Sequence, residues 1–205
     1  MDHQVIRVGI IDDHPVVRAG SVAGLSACED MVVAWAVGDA ADARDRARGD
    51  RPDVALMDLR LGNDLALDLI RELRNDGRTR VLVLSAFAQP AYVSAALEAG
   101  AAGYVLKSEP LESLAQHIRV VAEGGHAISA ALATTRRPPH LTLRDRSVLR
   151  LLVEGRSNDE IGRALGLTEK TVESYLRVLF RRTRAATRTE LAMRAMREGW
   201  LDVAG

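Results

Sequence analysis

The chain has 205 residues, 47% of them apolar, and its 28 basic side chains balance its 28 acidic ones, so the formal net charge is zero. This length is enough for one large domain or two smaller ones with their own cores, and we predict two. No apolar run approaches the roughly 18 residues that cross a bilayer, and the N-terminus does not resemble a secretory signal, so we expect a cytoplasmic protein with no membrane partner.

Five short apolar runs in the first half of the chain are typical of strands buried on both faces of a parallel sheet. They cover residues 5–11, 31–37, 54–57, 81–84 and 104–106. The stretches between them predict helices over residues 15–27, 39–48, 90–99 and 110–123. A further helix is predicted after residue 58, with Leu65, Leu69, Ile70 and Leu73 on its apolar face and its end at Asp76. This alternation predicts an α/β domain with a five-stranded, doubly wound parallel sheet.

Residues 124–139 are rich in Gly, Ala, Thr, Arg and Pro and have little apolar periodicity, which predicts a linker between domains at 1–123 and 140–205. The two parts differ in charge. Residues 138–205 hold 13 Lys and Arg against 9 Asp and Glu, whereas the rest of the chain holds 15 against 19. The asymmetry favours different partners for the two parts, with a polyanion as a candidate partner of the second.

Helix-start signals replace strand patterns after residue 140. Capping-box patterns begin at Thr142, Ser157 and Thr187, and Thr168 is a further candidate for an N-cap. Helix ends are predicted at three glycines, at positions 155, 166 and 199. We therefore predict a small all-α domain of four helices.

Polar residues stand directly after four of the predicted strands: Asp12 with Asp13, then Asp58, Ser85 and Lys107. The carboxyl ends of parallel strands share one edge of the sheet, so these side chains are expected to meet in one crevice. Such carboxylates suit Mg²⁺, and an aspartate can attack phosphorus to give an acyl phosphate whose charge the metal and a lysine would neutralise. Taken singly, each aspartate is equally consistent with a turn or a cap, and the lysine with a solvated surface cation.

This order of polar residues, together with Ile-Asp-Asp-His-Pro-Val-Val-Arg-Ala-Gly at 11–20, resembles the receiver domain of two-component response regulators, in particular the NarL/FixJ branch, over residues 5–122. The resemblance implies a flavodoxin-like fold in which Asp58 accepts a phosphoryl group from a sensor histidine kinase. It also implies that Asp12 and Asp13 hold Mg²⁺ together with Asp58, and that Lys107 contacts the phosphoryl group.

Two other positions follow from the same resemblance. Ser85 would sense the phosphoryl group, and Tyr104 would be the aromatic switch of the domain. One segment departs from the family pattern: Leu-Gly-Asn-Asp-Leu-Ala at 61–66 replaces the usual Pro-Gly and later Gly. The departure bears on the conformation of this loop and on the lifetime of the phosphorylated state.

Residues 157–164 and 168–182 are predicted to form two helices around a short turn at 165–167, as in a helix-turn-helix whose second helix enters the major groove. Val172, Leu176 and Leu179 form the apolar side of the second helix. Judged alone, its opposite side is more typical of a solvated charged face than of a DNA-binding surface.

The wider context reverses that interpretation. Leu-Thr-Leu-Arg-Asp at 141–145, Gly-Arg-Ser-Asn-Asp-Glu-Ile at 155–161 and Thr-Val-Glu at 171–173 resemble the LuxR-type DNA-binding domain, and the match extends over residues 140–200. Glu173 stands where that family often has a lysine, and Tyr175 where it usually has a histidine, which leaves the target sequence open. The resemblance implies a DNA-contacting set comprising Lys170, Thr171, Glu173, Ser174, Arg177 and Arg181.

We therefore predict a response regulator rather than an enzyme. Phosphorylation of Asp58 would control homodimerisation and sequence-specific binding to promoter DNA, and thereby transcription. One alternative is a regulator that binds DNA independently of phosphorylation. A remote alternative is an aspartate-nucleophile phosphatase with a helical appendage, which is disfavoured because Arg60 stands where such phosphatases carry a second aspartate as general acid.

Overall fold

The computed structural model describes residues 5–62, 64–75, 77–132 and 139–201. The chain divides into two units, one formed by residues 1–88 with 93–134 and the other by residues 89–92 with 135–205. The limits at 123 and 140 that the sequence suggests for the domains remain predictions. Within the described ranges, no helix has both the length and the apolar character needed to cross a membrane.

The first unit is built on a six-stranded sheet with the strand order β2-β1-β3-β6-β7-β8, in which every neighbouring pair is parallel. Two further strands, β4 and β5, form a separate antiparallel pair after β3. The strands are β1 (Ile6–Ile11), β2 (Met31–Val37), β3 (Val54–Met57), β4 (Arg60–Leu61), β5 (Asp64–Leu65), β6 (Arg80–Ser85), β7 (Gly103–Leu106) and β8 (Ala127–Ile128).

Helices follow the strands in alternation along the chain. In chain order they are α1 (Pro15–Ser26), α2 (Ala40–Gly49), α3 (Leu67–Asn75), α4 (Pro90–Ala99) and α5 (Leu111–Ala122). Helix α1 packs against α5, and α2 packs against α3. The doubly wound α/β fold class predicted from the sequence is confirmed.

The core lies on both faces of the sheet. Val8, Ile10 and Leu56 belong to a buried cluster that also contains residues of α1 and α5, such as Leu25 and Ile118. Because side chains alternate along a strand, the residues between them point to the other face. Several of these are also fully buried, namely Ile11, Ala55, Met57, Val81 and Val83. Burial on both faces explains why these strands are apolar runs rather than alternating ones.

The register of the ladders brings the ends of the strands level. Ile11 is paired with Met57, and Met57 with Val83. At the next ladder, Ser85 is paired with Leu106. The residues that directly follow β1, β3 and β7 therefore emerge at the same edge of the sheet.

The sixth strand is one more than the sequence suggested. Strand β8 lies inside the predicted linker, and it extends the sheet through hydrogen bonds from Ala127 N to Ala102 O at 3.2 Å and from Ser129 N to Tyr104 O at 3.0 Å. Gly103 permits this pairing, because a side chain there would collide with the carbonyl oxygen of Ala127. A two-residue strand has too little pattern to be recognised in a Gly- and Ala-rich stretch. Residues 133–138 of the predicted linker lie outside the described residues.

The helix predicted after Asp58 is also shorter than expected. Leu65, which we placed on its apolar face, belongs instead to β5, where it pairs with Arg60. The helix begins at Leu67 and retains Leu69, Ile70 and Leu73 as buried residues. Its predicted end at Asp76 lies outside the part of the chain that the structure describes.

The second unit contains helices α6 (Leu143–Val153), α7 (Asn158–Leu165), α8 (Glu169–Thr183) and α9 (Arg188–Arg197). All four begin at the predicted N-caps, and the capping boxes at Thr142 and Ser157 are complete. The third box is wrong in one respect: Thr187 caps Glu190 N, but the Glu190 carboxylate accepts from Ala186 N at 2.8 Å. Gly166 ends α7 with a φ of 65°, a left-handed conformation that glycine adopts at little cost.

Ser129 offers a test of the edge that β8 adds. Its side chain is fully buried and its hydroxyl accepts a hydrogen bond from Leu106 N at 2.9 Å. We expect Ser129→Ala to lower the free energy of unfolding by about 1–3 kcal/mol, because the amide of Leu106 loses its acceptor in a largely dry site. Urea unfolding followed by circular dichroism measures the change. Ser26→Ala, at an exposed serine of the same unit, is the control and should change stability by less than about 0.5 kcal/mol; an equal effect of both variants would contradict the role of the Ser129 hydroxyl.

Candidate functional site

Two buried carboxylates share one ammonium group at the carboxyl edge of the sheet. The Lys107 Nζ lies 2.5 Å from Asp58 Oδ2 and 2.7 Å from Asp12 Oδ2. Both aspartate side chains are 4% exposed and the lysine side chain is 15% exposed. Three residues that were predicted to follow separate strands therefore meet, with both carboxylates in contact with the lysine.

The sheet itself holds these residues in place. Asp12 N donates to Val37 O at 3.1 Å, and Asp58 N donates to Ile11 O at 2.8 Å. Lys107 N donates to Ser85 O at 2.8 Å. Each residue thus continues the hydrogen bonding of its strand by one step, so the positions of the charged groups are fixed by the rigid part of the domain.

Asp13 lies beside this pair at the rim of the cluster and is 30% exposed. Its Oδ2 accepts a hydrogen bond from Gly62 N at 2.9 Å. Gly62 is in the turn of the β4–β5 hairpin, within the segment that departs from the family pattern. The altered loop is thereby tied to the acidic cluster through its backbone.

His14 is the residue of this cluster to which the sequence analysis gave no role. Its Nδ1 lies 2.7 Å from Asp13 Oδ1, 3.3 Å from Asp12 Oδ1 and 3.7 Å from Asp58 Oδ2. The ring is 65% exposed, so it covers the cluster from the solvent side. Its position directly after the two aspartates was the available signal.

Burial and charge act against each other in the cluster. Burial raises the pKa of Asp58, and the hydrogen bond and charge of Lys107 offset only part of that effect. For Lys107, burial acts to lower the pKa, but the hydrogen bonds and charges of Asp12 and Asp58 outweigh it and the net pKa is raised. For Asp13, burial acts to raise the pKa, but the Gly62 amide and His14 outweigh it and the net pKa is lowered. Lys107 therefore stays an ammonium, and one cation serves two carboxylates.

Ser85 and Tyr104 meet at the backbone of Phe87. The Ser85 hydroxyl accepts a hydrogen bond from Phe87 N at 3.2 Å, and the Tyr104 hydroxyl donates to Phe87 O at 2.8 Å. Both side chains are fully buried. The guanidinium of Arg60 lies 5.5 Å from the centre of the Phe87 ring, a cation–π distance. The contacts of Phe87 were not foreseen from the sequence.

The donor atoms in the cluster suit a divalent cation. Asp12, Asp13, His14 and Asp58 each offer one ligand atom, and these atoms all lie within 4.8 Å of one another. The Oδ1 atom of Asp13 is buried and faces the His14 ring at 2.7 Å. Three carboxylates gathered at one point fit the requirement of Mg²⁺ for oxygen ligands.

Helix α8 of the second unit presents one apolar and one polar side. Val172, Leu176 and Leu179 are buried against α6 and α7. Thr171 is partly buried, and its hydroxyl lies 2.7 Å from that of the N-cap Thr168. The other members of the predicted DNA-contacting set are exposed, namely Lys170, Glu173, Ser174, Arg177 and Arg181.

Polar contacts fix α8 against the rest of its unit. Arg182 forms an ion pair of 2.9 Å with Asp145, which is 4% exposed at the start of α6. Arg144 donates to Leu165 O at 2.7 Å and so ties the start of α6 to the end of α7. The exposed face of α8 is thus carried by a helix that is anchored near its C-terminal end.

Comparison with known proteins adds two family matches. Residues 8–119 match the response regulator receiver domain, and residues 139–195 match the luxR family of bacterial regulatory proteins. The transcriptional regulatory protein MctR of Rhizobium johnstonii is 33% identical over 98% of this chain and 97% of that protein. The DNA-binding transcriptional activator DevR/DosR of Mycobacterium tuberculosis is 33% identical over 92% of this chain and 93% of that protein.

Solved structures give the same assignment. The response regulator ChrA of a haem-sensing two-component system is 30% identical, with a TM-score of 0.56, over 96% of this chain and 98% of that one. A complex of the response regulator RcsB with DNA has a TM-score of 0.72 at 23% identity, over 94% of this chain and 98% of that one, and this likeness concerns the fold alone.

The fold, the charged cluster and the helix-turn-helix are together those of a regulator with a receiver domain and a DNA-binding domain. The chain belongs to the family of two-component response regulators, with an N-terminal receiver domain and a C-terminal luxR-type domain. The family predicted from the sequence is confirmed.

The raised pKa of Asp58 predicts a pH-dependent gain in stability for Asp58→Asn. A carboxyl whose pKa is higher in the folded than in the unfolded state favours folding below its unfolded pKa, near 3.8, and loses that contribution as the pH rises through the folded pKa. The amide of Asn has no such loss. Asp58→Asn should therefore be more stable than the wild type at pH 7, and the difference should shrink toward pH 3.

Urea unfolding at a series of pH values measures this difference. Asp68→Asn, at an exposed aspartate of α3, is the control and should not reproduce the trend. A stability difference for Asp58→Asn that is constant across the pH series would contradict the assignment.

Proposed function

We propose that Asp58 accepts a phosphoryl group from a sensor histidine kinase, and that this modification controls how the protein binds promoter DNA. The single observation that carries the proposal is the contact of one ammonium, that of Lys107, with the buried carboxylates of Asp12 and Asp58. In the transfer, an Asp58 oxygen forms a bond to phosphorus while the bond from phosphorus to the histidine nitrogen breaks. The product is an acyl phosphate. The electron pair of the broken bond stays on the kinase histidine, whose ring leaves as the neutral imidazole because its other nitrogen has taken a proton from solvent.

Asp12, Asp13 and Asp58 are the residues that would hold Mg²⁺, which when bound neutralises charge on the phosphoryl oxygens. Lys107 would supply a second positive charge from the end of β7, at the same edge of the sheet. Because these groups stand on strand ends, they need little rearrangement to receive the phosphoryl group. Positioned charges of this kind are what phosphoryl transfer mainly requires of a protein.

Ser85 and Tyr104 are the proposed readout of the modification. The Ser85 hydroxyl now accepts a hydrogen bond from Phe87 N at 3.2 Å. If the Ser85 side chain turned to donate to the phosphoryl group, it would leave this bond. Phe87 is also the acceptor for the Tyr104 hydroxyl. A shift of Ser85 would therefore change the surroundings of Tyr104, a two-state response biased by phosphate.

The second unit would read double-stranded DNA with α8 in the major groove. Ser174 and Arg177 are exposed near the middle of the helix, where base edges would be reached, and Lys170 and Arg181 stand one turn further out on either side. Glu173 is exposed beside them and would accept from a cytosine amino group. Thr171 lies partly buried at the first turn, where a phosphate contact is the more suitable role.

We infer that the phosphorylated protein binds DNA as a homodimer, because paired helices read paired half-sites. RcsB, which shares this fold, has been described as dimers bound to DNA. A partner of this kind supports a cytoplasmic location. The role is regulatory rather than enzymatic, and Arg60, which stacks on Phe87, does not provide the general acid that a phosphatase would need.

A regulator that binds DNA independently of phosphorylation remains the competing function, since the β4–β5 hairpin departs from the family pattern. One experiment separates the two. We expect acetyl phosphate with Mg²⁺ to add one phosphoryl group to the wild type, to shift its mass in solution toward the dimer and to tighten its binding to a target promoter by roughly tenfold, a coupling of about 1.4 kcal/mol.

Asp58→Asn is the matched control for this experiment, because it keeps the size of the side chain and removes the nucleophile. It should take up no phosphate and should show neither response. Equal labelling of both proteins would remove Asp58 as the acceptor. Labelling of the wild type without a shift toward the dimer and without a change in DNA affinity would favour a regulator that binds DNA independently of phosphorylation.

The exposed face of α8 predicts the effect of Arg177→Ala. We expect DNA binding to weaken by about 1–3 kcal/mol, because a guanidinium at this position would donate to a guanine or a phosphate. Electrophoretic mobility shift with a target promoter at fixed salt measures the loss. Arg163→Ala, at an exposed arginine of α7, is the control for the loss of one positive charge; an Arg177→Ala protein with unchanged affinity would contradict the assignment.

A further inference from the structure

Helix α8 ends at a residue that is unusual for its backbone conformation. Arg184 is the C-cap of this helix and has a φ of 57° and a ψ of 29°, which is left-handed. Among the residues that the structure describes, it is the one non-glycine residue with a positive φ. The other helices of the second unit are each followed by a glycine with a positive φ, namely Gly155, Gly166 and Gly199. A side chain in this conformation is strained where glycine is not, so the turn itself does not favour arginine.

A stabilising role within the unit does not explain the arginine either. A cation at the C-terminal end of a helix interacts favourably with the helix dipole, but the effect is small at an exposed position. The last turn of α8 already holds two such cations, Arg181 and Arg182. Within the described ranges, the Arg184 side chain has no hydrogen bond or ion pair that would offset the strain.

The lysines and arginines of the second unit fall into two groups. Most are held by partners inside the unit, as Arg182 is by Asp145. In residues 139–201, the side chains that have neither an ion pair nor a hydrogen bond are those of Lys170, Arg177, Arg181 and Arg184. The positive charges that the fold leaves free are therefore all on α8 or at its C-cap.

These cations share one side of the helix. At about 100° per residue, positions 170, 177, 181 and 184 lie within an arc of roughly 60°. All of these side chains are exposed, whereas Val172 and Leu176 are buried on a different side. Arg184 stands about 4.5 Å further along the helix axis than Arg181. It thus continues the row of cations past the last turn of α8.

The chemistry of this row suits the backbone of DNA. No aspartate or glutamate occurs in residues 174–189, so the C-terminal part of the row has no acidic neighbour in sequence. A guanidinium presents paired N–H donors to the oxygens of a phosphate. Phosphates occur at every step of a DNA strand, so a cation at the end of a reading helix can bind one irrespective of the base sequence.

We propose that Arg184 is a contact to the DNA backbone, which extends the cationic face of α8 beyond the end of the helix and binds a phosphate. The proposal rests on the DNA binding proposed above and adds to it a residue outside the DNA-contacting set that the sequence predicts. It also accounts for an arginine at a position where glycine would be less strained.

The salt dependence of DNA binding by the full-length protein tests the proposal. Fluorescence anisotropy measures the affinity for two labelled duplexes of unrelated sequence, between about 50 and 200 mM salt, with acetyl phosphate and Mg²⁺ present throughout. We expect Arg184→Gly to make the slope of log affinity against log salt shallower by about 0.9 on both duplexes, which corresponds to one lost phosphate contact. Binding should weaken roughly fivefold at about 0.1 M salt.

Thermal unfolding of the same variant gives a readout of opposite sign. Arg184→Gly should raise the midpoint of unfolding by about 2–4 °C, because glycine relieves the left-handed strain. A residue with only a structural role would lower the stability and the affinity together. A melting midpoint below that of the wild type would therefore overturn the proposal, and so would an unchanged salt slope.

Two variants serve as controls. Arg184→Lys keeps the positive charge and should retain the salt slope of the wild type. Arg163→Ala removes a charge from the exposed surface of α7, where the guanidinium is paired with Asp159, and should also leave the slope unchanged. A slope that is reduced equally in Arg163→Ala and Arg184→Gly would overturn the proposal, since it would report the net charge alone.

The outcome is separable from that of the proposed function. Wild-type protein that binds DNA with the same salt slope as Arg184→Gly would overturn the inference and leave the proposed DNA binding in place. Wild-type protein that binds neither duplex would overturn the proposed function, and the inference with it.

Discussion

The structure of the first unit depends on the ammonium of Lys107 between two buried carboxylates. Two carboxylates taken out of water would repel each other and lose their hydration, and only a cation in direct contact offsets that cost. The cation is held at 2.5 and 2.7 Å because β1, β3 and β7 end level with one another. The parallel register therefore does more than form the core: it assembles a charged site from residues 12, 58 and 107, which are distant in the chain.

The strand that leads to the site is also hydrogen-bonded to the edge strand of the sheet. Strand β7 carries Tyr104 and leads directly to Lys107, and its far side is hydrogen-bonded by β8. The Ser129 amide donates to Tyr104 O, and the Ser129 hydroxyl accepts from Leu106 N. Strand β8 and Ser129 are thus bonded to the strand that carries Tyr104 and directly precedes Lys107. A displacement of β7 would reach β8 through these hydrogen bonds.

Much of this arrangement could be predicted from the sequence because burial on both faces makes a strand an uninterrupted apolar run, and polar residues such as Asp58 then mark its end. Cap chemistry was equally informative for Thr142 and Ser157. The rest has no comparable signal. Strand β8 depends on two backbone hydrogen bonds and on the space left by Gly103, and Leu65 is withdrawn from the helical pattern by a two-residue pairing with Arg60. The direction of the His14 ring is set by its neighbours in space, which a linear pattern does not contain.

The anchoring of α8 limits how phosphorylation can act on the second unit. Its apolar side is buried and Arg182 is paired with the nearly inaccessible Asp145, so breaking this helix from its unit would leave a buried charge without a partner, at a cost of several kcal/mol. A phosphoryl group on Asp58, the proposed acceptor, would supply only the difference in its interaction with two states of the receiver, typically about 1–3 kcal/mol. That amount is too small to build or dismantle the helix-turn-helix. It would be sufficient to change the accessibility or the pairing of a reading helix that is already formed, so the proposed switch would leave the fold of each domain unchanged.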